Sequence, residues 1–146
     1  MPDERAELEA IKRHFAEDRF AATSGVQILE LQRGYARAAL TVADRHLNSV
    51  GTLHGAAIFT LADLAFAMAC NSGGRVAVAI NTNLSFLKAT RSGTLMAEAT
   101  EVSRSRRIST CTVRVSNEAE ELVALFQGTA YIIEEPFPPT ASRMQA

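Results

Sequence analysis

The stretch AAIFTLADLAFAMAC, residues 56–70, holds no glycine or proline, is rich in alanine and is apolar on nearly every side. A helix at a surface keeps a polar face, so a helix of this composition has to be enclosed by other elements. NSGG at 71–74 ends it. Whatever this chain folds into must wrap a helix.

The wrapping material follows directly. VAVAINTNLSFL, TLMAEATEVSRS, ISTCTVRVS and LVALFQGTAYII show β-branched runs or period-two alternation and are separated by KATRSG, RR and NEAEE. They predict an antiparallel meander of four long strands. Upstream, VQILEL and YARAALTV predict a hairpin turning at QRG, where Gly34 can take the positive φ that such turns need. Residues 3–20 carry Leu8, Ile11 and Phe15 at helical spacing among acids and bases, which predicts an amphipathic helix. The tail EEPFPPTASRMQA, from about residue 135 to 146, reads as a loose end because its prolines cannot extend a central strand. The order is helix, hairpin, buried helix and strands, an α+β arrangement and not an alternating βαβ one. With 146 residues, 47% hydrophobic and 21% charged, and with no repeat or linker, a single domain over 1–146 is expected.

Composition also narrows the partners. The net charge of -1 supplies no basic excess for nucleic acid or a membrane surface. Cys70 and Cys111 sit in apolar contexts without CxxC spacing, which predicts buried free thiols and a reducing compartment. The first twenty residues are charged throughout and lack the apolar core of a signal peptide, and no run approaches the length of a membrane span. A cytoplasmic location is the expectation.

One acid interrupts the apolar helix. Asp63 has Phe59, Thr60, Phe66 and Ala67 one turn away, so its face is mostly apolar, and an ionised carboxylate buried without partners is costly. The bland account is a solvent strip or a neighbouring hydroxyl. The segment HLNSVGTLHG, residues 46–55, gives a sharper one, because His46, Asn48, Gly51, His54 and Gly55 cluster where the helix begins. Unpaired N–H groups and a partial positive charge collect there, and a glycine lets an acyl oxygen approach the main chain as in an oxyanion hole. Asn48 could hold a water or a carbonyl, and His54 could orient either. Eight residues of helix separate Gly55 from Asp63 by ~12 Å. If both act on one carbonyl, two copies of the helix must lie antiparallel across a dimer interface.

HLNSVGTLHGAAIFTLADLAFAMACNS, with NLSFLKATRSGTLMAEA and ELVALFQGTAYI downstream, resembles the hotdog-fold acyl-CoA thioesterases of the PaaI-like, phenylacetate-degradation group over residues 25 to 133. The resemblance implies a helix wrapped in a curved sheet, a homodimer with continuous sheet, often paired into a homotetramer, and hydrolysis of small, medium or aryl acyl-CoA thioesters. It implies no redox cofactor or metal. Asp63 matches the nucleophile or general base, Gly55 the residue whose N–H polarises the thioester, Asn48 the residue that positions the water or thiol, and His54 the support of that loop. Two positions depart from the pattern. Ala56 stands where a second glycine is usual, and Ala79 and Ile80 stand where relatives carry Ser or Thr, with Asn81 and Thr82 as substitutes.

Other residues carry weaker signals. His46 and His54 with Asp63 lack compact metal-ligand spacing, and His14 is expected on solvated surface. Lys88, Arg91, Arg104, Arg106 and Arg107 are ordinary surface charge or contacts to the phosphates of coenzyme A. Phe59, Phe66, Met68 and Phe86 are expected to shape the acyl pocket. A non-catalytic acyl-CoA sensor on the same fold is the alternative function, and a dehydratase would need a His with a second acid that this pattern does not supply.

Overall fold

The computed structural model describes residues 3–139. The enclosed helix is α3, Gly55–Asn71, and most of its apolar side chains are buried, with Phe59 the large exception. Around it curves a sheet of β1 (Val26–Gln32), β2 (Tyr35–Thr41), β3 (Arg75–Phe86), β4 (Thr94–Arg104), β5 (Ile108–Ser116) and β6 (Leu122–Pro136). All pairings are antiparallel, in the order β1-β2-β4-β5-β6-β3. The α+β fold with a long helix inside a curved antiparallel sheet is therefore the one expected.

Phe66 of α3 meets Phe126 of β6 with ring centroids 5.5 Å apart. Helix and sheet approach so closely there that a Cβ on Gly128 would stand 2.8 Å from the Phe66 ring, so only glycine fits beneath it. Leu61, Met68, Leu95, Val113 and Val123 complete the core with no exposed surface. Each such side chain contributes about 1.5–3 kcal/mol on burial. Cys70 and Cys111 are buried free thiols, and burial pushes the Cys111 thiol up to about 11 and raises that of Cys70 as well.

Four local expectations are corrected. The N-terminal helix is two, α1 (Glu4–Phe15) and α2 (Arg19–Thr23), because Asp18 caps a new helix by accepting from Ala21 N at 3.0 Å. The last four strands are not one meander. β4, β5 and β6 are joined by short turns, whereas residues 87–93 carry the chain from β3 across the sheet end, so that β3 pairs with β6 at the far edge. Period-two alternation identifies a strand and says nothing about its neighbour. The end of the chain is held further than its prolines suggest: β6 runs to Pro136, Phe137 N donates to Gly74 O at 2.9 Å, and the Phe137 ring stacks on Phe15 at 5.1 Å. Residues 140–146 lie outside the described part. His14 is half-buried with its ring edge-on to Phe137, 5.2 Å away, and not simply solvated.

Candidate active site

The turn before α3 is built by its polar residues. Asn48 Oδ1 accepts from Val50 N at 3.0 Å and Thr52 N at 3.1 Å, its Nδ2 donates to Thr52 Oγ1 at 2.8 Å, and Gly51 supplies a φ of 79°. Asn48 thus spends its carbonyl on the turn and keeps one amide hydrogen for anything else. His46 is only 6% exposed; its Nδ1 accepts from Ala43 N at 2.9 Å and its Nε2 meets the Ser24 carbonyl oxygen at 2.6 Å. Nε2 therefore carries the proton and donates, and both ring nitrogens are committed to main chain.

His54 is the N-cap of α3, and its Nδ1 accepts from Ala56 N at 2.9 Å. The cap leaves one donor over. Ala57 N and Ile58 N return to the His54 carbonyl, while Gly55 N has no acceptor among the described residues. Gly55 also lines a cavity of about 470 Å³, together with Asn48, Thr52, Phe86, Lys88 and Thr90, among others. A preorganised donor at a helix start is suited to an oxygen that gains negative charge.

Asp63 occupies a different cavity, of about 240 Å³, with Asp18, Phe20, Phe59, Thr60 and Ala67 in its walls. No residue lines both. Asp63 has no hydrogen-bond or ion-pair partner among the described residues, and burial, followed by the nearby charge of Asp18, holds its carboxyl above the usual carboxylate range. It is a basic carboxylate in an apolar setting.

The remaining residues divide by what they touch. Lys88 lines the Gly55 cavity and pairs with Glu121. Arg91 makes no ion pair among the described residues, and its Nη1 lies 3.7 Å from where a Cβ on Gly51 would stand. Arg104 serves the other end of α3: Nη1 donates to the Cys70 carbonyl oxygen at 3.3 Å and pairs with Glu101 at 2.9 Å. Arg106 and Arg107 both reach Glu134. Asn81 and Thr82 are exposed on β3 and line neither cavity. Sequence reading missed Asp18 and Phe20, because a helix cap inside an amphipathic segment looks like any surface Asp.

β3 forms one edge of the sheet, and Val78 and Ile80 on it are 53% and 60% exposed. A long edge strand with uncovered apolar side chains is a template for pairing.

Known proteins share this sequence pattern and fold. A family model, the Thioesterase superfamily, matches residues 50–124, the segment that holds Gly55, α3 and strands β3, β4 and β5. The acyl-coenzyme A thioesterase PaaI of Escherichia coli is 34% identical over 120 residues, 82% of this chain and 86% of its own. The solved structure of the E. coli PaaI protein from the phenylacetic acid degradation operon superposes with a TM-score of 0.86 at 30% identity, over 91% of this chain and 97% of that one. The phenylacetic acid degradation protein PaaI of Thermus thermophilus, in mutant form, superposes with a TM-score of 0.76 at 38% identity, over 80% of this chain and 100% of that one. The chain belongs to the thioesterase superfamily, as a PaaI-like member with the hotdog fold, and is a thioester hydrolase.

Proposed function

We propose that this protein hydrolyses acyl-CoA thioesters in composite sites formed by two copies of the chain. The separation of Gly55 from Asp63 carries the reading. A donor for the carbonyl oxygen and a base for the attack sit in different cavities of one protomer, with ~12 Å of helix between them. Pairing through the open edge of β3 would set two α3 helices antiparallel and bring one protomer's Gly55 to the other's Asp63. Val78 and Ile80 support that pairing by being uncovered.

In such a site the thioester oxygen accepts from Gly55 N–H while Asp63 of the other protomer attacks the carbonyl carbon or takes a proton from water. The C–S bond breaks as the tetrahedral centre collapses, and the CoA thiolate leaves and is protonated; water attack gives the free acid at once, whereas direct attack leaves an acyl–Asp63 anhydride that water then hydrolyses to the acid and the regenerated carboxylate. His54 and Asn48 hold the turn that aims the donor, as their hydrogen bonds indicate. Arg91, free of a carboxylate partner and beside the turn, is the cation best disposed to the CoA phosphates, with Lys88 on the cavity wall. Arg104, Arg106 and Arg107 are engaged by Glu101 and Glu134.

The test is free-thiol release from acetyl-, hexanoyl-, palmitoyl-, phenylacetyl- and hydroxybenzoyl-CoA by wild type and Asp63→Asn. Turnover that collapses in the variant supports the proposal. Tight binding of the same compounds without turnover would mark an acyl-CoA sensor instead. Single turnover in H₂¹⁸O separates the two roles of Asp63, since only direct attack leaves ¹⁸O in its carboxylate.

A further inference from the structure

We infer that α2 is an acyl-selecting wall of the Asp63 cavity, with Asp18 turning away acyl groups that end in a carboxylate and Phe20 covering the neutral groups that are kept. The inference rests on the thioesterase reading and deepens it. It concerns residues outside the segment matched by the family model.

The cavity walls not supplied by α3 are Asp18, Phe20 and Ala21, all from α2 or its cap. Phe20 is 72% exposed, so its ring is not spent on the protomer's core. Asp18 uses Oδ1 to cap α2 and makes no ion pair among the described residues. Lys12 and Arg13 of α1 line an adjoining groove and not this cavity. Asp18 and Asp63 therefore share one cavity without a basic residue among its walls. A carboxylate arriving on the end of an acyl chain would meet two like charges and no counter-ion, which is selection by repulsion.

The wall is also fixed in place. His46 donates from Nε2 to the Ser24 carbonyl oxygen at 2.6 Å, and the His46 carbonyl accepts from His54 N at 2.8 Å. One buried histidine thus ties the end of α2 to the cap of α3. A wall held this way cannot easily yield to a poorly fitting group.

Hexanoyl-CoA and adipoyl-CoA share a six-carbon chain and differ in the terminal carboxylate, so they isolate the charge. Wild type, Asp18→Asn and Phe20→Ala are compared by kcat/KM on both. Asn caps a helix as well as Asp does, and it removes the charge beside Asp63, so Asp18→Asn should melt no lower than the wild type. The expected result is a wild-type preference for hexanoyl-CoA, read as the ratio of kcat/KM values at a pH above the acid limb, that narrows about ten-fold in Asp18→Asn through faster adipoyl-CoA turnover. Phe20→Ala should slow hexanoyl-CoA roughly five-fold, within the range for trimming an apolar pocket. An unchanged ratio in Asp18→Asn, with hexanoyl-CoA still hydrolysed, overturns the inference alone. No turnover of either thioester by wild type overturns the hydrolase reading and the inference with it.

Discussion

A Cβ on Gly55 would stand 2.9 Å from Cζ of Phe86 and 3.1 Å from its Cε1. The ring lies over the first residue of α3 and is 59% exposed, so it can swing aside at little cost in stability. It packs against the residue whose N–H is unpaired among the described residues.

Two substitutions separate space from the donor. Gly55→Ala keeps the N–H and displaces the ring. Gly55→Pro removes the N–H at the first helical position, which proline favours, and His54 before it has the extended ψ of 137° that proline requires. Both variants should fold by circular dichroism. The Ala variant should stay within about ten-fold of wild-type kcat, whereas the Pro variant should lose about 100- to 1,000-fold, the worth of one oxyanion donor. Equal losses would show that the space over Gly55 matters and the donor does not.

Mixing inactive chains tests the shared site. Asp63→Asn and Gly55→Pro chains, unfolded together and refolded, should recover about a quarter of wild-type activity, because half the dimers are mixed and each mixed dimer has one intact site. No recovery in a confirmed mixture would place the whole site within one protomer.

Asp63 should cost stability while serving catalysis. Its carboxyl titrates above its ordinary value, so between the unfolded and folded pKa the native state holds the extra proton. Stability therefore falls as pH rises through the folded pKa. Asp63→Asn should raise Tm near neutral pH by about 2–4 °C, the shift that 1 kcal/mol produces in a domain of this size. It should lower kcat by about 100- to 10,000-fold. A lower Tm near neutral pH would mean that Asp63 is a satisfied structural group.

The same shift sets the acid limb of the rate. A base must be ionised, so kcat/KM should fall with decreasing pH at a midpoint above the usual carboxylate range. Asp18→Asn removes the second cause of the shift and should move that midpoint down. An unmoved midpoint would leave burial as the sole cause.

The open edge of β3 makes an assembly prediction. Ile80→Asp places a charge on the exposed edge strand, among exposed apolar side chains. Sedimentation should then show monomers, and activity should fall with the dimer. A dimer that survives with full activity would move the interface elsewhere.

Arginines should separate according to their existing partners. Arg91→Ala should raise KM for acyl-CoA about ten-fold with kcat little changed, the pattern of a lost phosphate contact. Arg106 is already engaged by Glu134, so Arg106→Ala should leave KM near wild type. The reverse order would assign the phosphates to the β5 end of the sheet.

The order of residues alone required an enclosed helix, because AAIFTLADLAFAMAC has no polar face to give to water. It also determined the hairpin at Gly34, whose φ of 70° only a residue like glycine adopts cheaply, and the tension at Asp63, since an acid among apolar neighbours is visible in helical spacing alone. These are local properties, fixed by periodicity and by what a residue costs to bury. Packing in three dimensions set the rest: β3 leaves its chain neighbour β4 for the edge beside β6, Asn48 spends its side-chain carbonyl on its own turn, and Asp18 arrives beside Asp63. Each of those depends on which surfaces meet, and alternation or spacing along one segment carries no record of the segment it will face.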